Sequence, residues 1–126
     1  MSSYGIERII VDLQHLDYTI DVFRNVSNID YVVIRNFHIS LGQFKDRSID
    51  LAIPIPKDYP RTIGSSIHIK SEPILLDYND TVSGKRNIIK SPLGEDWRYW
   101  SFRFQINPVN PTKDLISQIN GIFKNI

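Results

Sequence analysis

Residues 49–60, Ile-Asp-Leu-Ala-Ile-Pro-Ile-Pro-Lys-Asp-Tyr-Pro, constrain the fold more than any other stretch. Ile49, Leu51, Ile53 and Ile55 alternate with Asp50, Ala52 and Pro54, the period of a half-buried strand. Pro54, Pro56 and Pro60 each lack an amide donor and fix their own φ, so the strand is expected to stop among them. Proline also holds its predecessor extended, which carries Tyr59 straight into Pro60. The reading is a strand that leaves a sheet through a stiff loop with an aromatic at its turn. A sheet-edge strand carrying two prolines accounts for the same residues without any function.

The flanking segments supply the rest of an α+β domain. Residues 3–16 place Ile6, Ile9, Ile10, Leu13 and Leu16 at helical spacing, with Glu7, Arg8, Asp12 and Gln14 opposite and Ser2 or Ser3 as the cap. Residues 18–23 alternate as a strand. Residues 31–39 read as the next, with Tyr31, Val33 and Ile39 on one face and Val32 and Ile34 on the other, hence buried on both sides near its start. With residues 49–55 and a short strand at 66–70, this predicts an antiparallel meander of three to four strands. The chain then closes with a helix: Asn110 as N-cap, Pro111 in the first turn, and a stripe of Leu115, Ile116, Ile119, Ile122, Phe123 and Ile126. Gly121 weakens that helix unless it permits a close approach to a neighbour.

A length of 126 residues suits one domain, 1–126, around one core. A hydrophobic fraction of 41% and a net charge of +1 give an ordinary globular composition with no field to steer nucleic acid or an anionic membrane. No apolar run approaches the ~20 residues of a bilayer span, and the first residues lack a signal-peptide layout, so a soluble, cytoplasmic protein is expected. Cysteine is absent, which removes disulfides, thiolate metal sites and a thiol nucleophile. His15, His38 and His68 are too scattered for a metal-ligand pair and read as surface or packing residues. No cofactor or metal is expected.

Residues 71–96 are rich in breakers, with Ile74-Leu75-Leu76 and Ile88-Ile89 as anchors, and read as one long connection whose part at 77–96 stands out. Long connections inside compact domains often carry function, so this is where a site is sought. Trp97, Tyr99, Trp100, Phe102 and Phe104 follow closely. Trp97 and Trp100 read as wedges filling the space between loop and sheet; a base-stacking platform is the rival, disfavoured by the near-neutral charge.

This order of features resembles the ubiquitin-conjugating (E2-like, UBC-like) superfamily. It comprises a first helix, a meander whose third strand runs into Tyr59-Pro60, a long irregular segment, a tryptophan and a final helix. The wording is similar to bacterial E2-like proteins, in which Pro-x-x-Tyr-Pro is followed by Trp-x-x-Trp-Ser; here these are residues 56–60 and 97–101. The similarity spans nearly the whole chain. It implies an E2-like carrier in a bacterial conjugation pathway, taking the C-terminal acyl group of a ubiquitin-like protein from an E1-like enzyme and passing it to an amine. The expected partners are therefore an E1-like enzyme, docking on the first helix, and a ubiquitin-like protein, with no nucleic acid and no membrane.

The family's cysteine and its His-Pro-Asn motif are both missing. Setting Gly84 to Trp97 against the family's Gly-x-Ile-Cys…Trp segment brings the missing cysteine to Lys90 or Ser91. Three explanations stand. Ser91, or second Ser83, carries the acyl group as an ester, with Asp77, Asp80, Glu95 or Asp96 available as base. Alternatively, Lys90 or Ser91 replaces a lost cysteine and mimics the loaded state. In the third, the domain is a non-catalytic variant that only binds the E1-like enzyme or the ubiquitin-like protein. Asn79 or Asn87 stands in for the family's oxyanion-stabilising asparagine. A serine before Pro92 in a plain turn explains Ser91 equally well.

Overall fold

The computed structural model describes residues 4–24, 27–63, 66–77, 81–82, 86–105 and 109–125, with backbone alone at 81–82 and 86–87. The first apolar stripe winds as α1 (Gly5–His15) and buries Ile9 and Leu13. Tyr4, not a serine, takes the N-cap position and makes no side-chain cap; Ser2 and Ser3 lie outside the described residues. Strands β1 (Thr19–Arg24), β2 (Asp30–His38), β3 (Ser48–Ile55) and β4 (Ser66–Lys70) follow, each antiparallel to the last. The predicted meander is present, and it is only part of the sheet. The two-residue β5 (Thr81–Val82), β6 (Arg86–Ser91) and β7 (Gly94–Ser101) extend it to the order β1-β2-β3-β4-β7-β6-β5. Helix α2 (Pro111–Lys124) closes the fold; Asn110 holds the N-cap position without a side-chain cap bond.

The expected long loop at 71–96 is therefore corrected from residue 81 onward. Much of it is a hairpin of β6 and β7, turning at Pro92 and Leu93. Ile88 drives this, because it is 1% exposed and pairs across from Trp100, extending the apolar face of the sheet. β3 ends at Ile55, among the prolines as its sequence implies, with Pro54 just before that end. Pro54 lies opposite Tyr31, and only Asp50, Leu51 and Ala52 of β3 pair with β4. The proline thus sits where β3 is an edge, and its missing donor breaks no ladder to β4.

One face of the sheet holds the main core. Val32, Ile34, Leu51, Ile53, Ile67, Ile69, Ile88 and Trp100 meet Ile9 and Leu13 of α1 and Leu115, Ile119 and Phe123 of α2. Burial of each such side chain contributes ~1.5–3 kcal/mol, so this face dominates stability. A bulge between Ile34 and Phe37, with Asn36 at φ 53°, turns Phe37 and Ile39 into the same core. The expectation that Ile39 shares the face of Tyr31 and Val33 fails for that reason: one extra residue reverses the alternation.

The opposite face carries a smaller cluster of Tyr31, Val33 and Ala52, with Leu93 and Trp97 packed against it. β2 is thus buried on both sides near its start, as its sequence implies. The two tryptophans divide between the faces. Trp100 lies in the main core against Phe123, and Trp97 is half-buried on the other side.

Candidate functional site

On the second face, strand pairing lines up Val33, Ala52, His68, Tyr99 and Ile89 as cross-strand neighbours. Alternation adds Ser66 beside His68 on β4 and Ser91 two residues beyond Ile89 on β6. The register slips between Lys90 and Ser91, so Ser91 stands opposite Gly94. The end of this hairpin folds over the sheet, with Leu93 against the Tyr31 cluster.

The result is a buried polar triplet. His68 Nδ1 lies 2.7 Å from Ser91 Oγ, and His68 Nε2 lies 3.2 Å from Ser66 Oγ. Leu93 N–H donates to Ser91 Oγ at 3.1 Å. The rings of Tyr31 and Tyr99 stand nearly perpendicular to the imidazole at 5.3 and 5.2 Å. His68 is 1% exposed and Ser91 9%. Burial lowers the imidazole pKa to about 4, so His68 is neutral near pH 7 and has one bare nitrogen. A hydroxyl hydrogen-bonded to a neutral imidazole is the arrangement that activates a serine.

Of the residues marked by the sequence, the structure brings only Ser91 into this cluster. Lys90 is exposed on β6, opposite Arg98. Asn87 pairs through its backbone with Thr81, and its side chain is outside the described set; Asn79, Asp80 and Ser83 are outside it entirely. The described carboxylates proposed as bases, Asp77, Glu95 and Asp96, do not join the triplet. Asp77 accepts from Arg98 Nε at 2.8 Å, and Glu95 and Asp96 are exposed. Beside the hairpin opens a polar groove of about 460 Å³, lined among others by Asp50, Lys70, Glu72, Glu95 and Arg98. Neither Ser91 nor His68 lines it.

His68 is the partner that sequence reasoning missed. The signal was there: in a strand with Ile67 and Ile69 inward, Ser66-x-His68 occupies the other face. What the spacing did not reveal was the hairpin that folds Ser91 onto it. Among the described residues no cluster of His, Asp or Glu is arranged to hold a metal ion, and no helix is long and apolar enough to cross a membrane.

No family model matches this chain, and no curated protein or solved structure matches it either.

Proposed function

We propose that the chain is an E2-like carrier in a bacterial ubiquitin-like conjugation pathway. It accepts the C-terminal acyl group of a ubiquitin-like protein from an E1-like enzyme, holds it on Ser91, and passes it to an amine. The observation that carries this reading is the 2.7 Å contact between Ser91 Oγ and His68 Nδ1. It places an imidazole on the hydroxyl of Ser91, one of the two residues, with Lys90, to which the family resemblance brings the missing cysteine. The element order gives support: α1, a four-strand meander, and β3 running through Pro56 into Tyr59-Pro60. The support is strongest there, because a β6–β7 hairpin stands where the UBC-like layout has an irregular segment.

A second reading, a non-catalytic adaptor that binds the E1-like enzyme or the ubiquitin-like protein, is favoured by one observation. Ser91 is only 9% exposed. Incubation with the E1-like enzyme, the ubiquitin-like protein and ATP separates the two by intact mass, with and without hydroxylamine. A hydroxylamine-labile adduct on Ser91 supports the carrier; binding with no adduct, under an active E1-like enzyme, supports the adaptor. A hydroxylamine-resistant adduct on Lys90 makes that lysine the acceptor instead.

A further inference from the structure

We infer that the outer edge of β1 is a homodimer interface: two copies of this chain pair antiparallel there about a two-fold axis through Val22, joining their sheets into one. The inference goes beyond the conjugation reading and does not rest on it.

β1 ends the sheet and is paired on one side with β2, so every second residue along it turns its amide and carbonyl outward. Natural edges are blunted against such pairing by proline, lysine, bulges or short length. β1, Thr-Ile-Asp-Val-Phe-Arg, has neither proline nor lysine, and its six-residue register against β2 runs without a slip. Its two charges are spent within its own sheet. Asp21 accepts from Arg35 Nε at 2.7 Å, and Arg24 Nε donates to Asp30 at 2.7 Å. Val22 and Phe23 are 50% and 46% exposed, one on each face of the strand. The edge is therefore apolar, charge-compensated and open to a further strand.

The two ends of the sheet select the occupant. The far end is β5, Thr81–Val82, which is only two residues long. It is too short to accept β1 head to tail, so the matching edge within this chain is a second β1. A two-fold pair of that kind closes on itself, where a head-to-tail contact would run on as a fibre.

Symmetry then sets the register. An axis perpendicular to the sheet keeps each face on its own side, so facing residues share a face and the axis passes through a residue. Through Asp21 it would set two carboxylates against each other. Through Ile20 or Phe23 it would pair only three residues of β1 with one another. Through Val22 it pairs residues 20–24 throughout. Val22 meets Val22 on the face that bears the helices, the face of its β2 neighbour Val32. On the other face the two Phe23 rings become diagonal neighbours, a spacing that aromatic side chains span. A six-residue edge, about 20 Å long, is short for a standard interface of about 1,200–2,000 Å², so the dimer forms at raised concentration only.

Sedimentation velocity of the intact chain, from low-micromolar to submillimolar concentration, is expected to show a monomer passing to a dimer. Val22→Lys puts two ammonium groups across the axis and is expected to weaken the dimer about 10-fold, with the circular-dichroism spectrum unchanged because the side chain is exposed. The chain has no cysteine, so single-cysteine variants read the register directly. Val22→Cys is expected to cross-link under mild oxidation, because directly opposed residues lie about 4.5–5.5 Å apart, within disulfide range. Asp21→Cys, about 7–8 Å from its copy, and Val109→Cys, 78% exposed and off the edge, are expected to cross-link at least about 10-fold more slowly. A monomer at every concentration overturns the inference, as does an unchanged dimer in folded Val22→Lys. Cross-linking at equal rates in the three cysteine variants, or fastest at Asp21→Cys, overturns it as well.

Discussion

The Tyr59 and Thr112 hydroxyls meet 2.7 Å apart in the interior, although 53 residues separate them in the chain. Thr112 gives its single hydrogen to Asp12 Oδ2 at 2.6 Å, so Tyr59 is the donor to Thr112. Asp12 also accepts from Arg8 Nε at 2.9 Å. One relay thus ties the turn after β3 to α2 and then to α1. Burial pushes the Tyr59 phenol up to about 12, which keeps it a donor across ordinary pH.

That direction makes the two ends of the bond unequal. Thr112→Val leaves the Tyr59 hydroxyl buried with no acceptor, at a cost of about 1–3 kcal/mol. Tyr59→Phe removes a donor but leaves Thr112 bonded to Asp12, at a cost of about 1 kcal/mol. Urea denaturation of the two variants is expected to rank Thr112→Val as the less stable. The opposite ranking would mean that Thr112 is not spent on Asp12.

His68 gives the fold a pH dependence with a definite sign. Its pKa falls from 6.5 in the unfolded chain to about 4 in the folded one, so the unfolded state binds the extra proton first. Ser66, Ser91, Tyr31 and Tyr99 surround the ring, with no carboxylate among them. Stability is therefore full above about pH 6.5 and falls as the pH drops toward 4, by about 3 kcal/mol in total. Denaturation midpoints between pH 4 and 7 are expected to lose much of this slope in His68→Gln. An equally steep slope in the variant would assign it to the carboxylates.

The regular elements were legible because period and burial coincide in them. The Ile67/Ile69 strand and the Leu115-to-Phe123 stripe needed only their own residues. The bulge at Asn36 was not legible, since one inserted residue leaves composition unchanged while reversing the face of everything after it. Ser91 was marked by its sequence setting. Its partner was not, because the contact with His68 spans 23 residues and depends on β7 lying between their strands. Spacing along the chain carries no record of such a fold-back.

The second face should prove energetically minor. Leu51 is fully buried in the main core, and Leu51→Ala is expected to cost about 2–5 kcal/mol. Leu93 is only partly buried against Tyr31, Val33 and Ala52, so Leu93→Ala is expected to cost less, about 1–2 kcal/mol. Matched thermal melts decide it. A larger loss at Leu93 would mean that the hairpin end is part of the folding core and not a cover laid over it.

The two helix glycines make the sharpest contrast. Gly5 opens α1 at φ +67°, and a Cβ there would stand 2.9 Å from the Lys57 carbonyl oxygen, a backbone atom that cannot swing aside. Its own N–H donates to the Tyr59 carbonyl at 2.9 Å, which fixes the approach. Gly5→Ala therefore meets both a strained φ and a clash, and is expected to lose about 1–3 kcal/mol. Gly121 is the reverse case: a Cβ there meets nothing within 4 Å, so it serves no close approach, contrary to what its place in a packed helix suggested. Gly121→Ala should then show the bare helix propensity and gain about 1 kcal/mol. Opposite shifts in melting temperature are expected. A loss at Gly121 would require a neighbour that the helix does not have among the described residues.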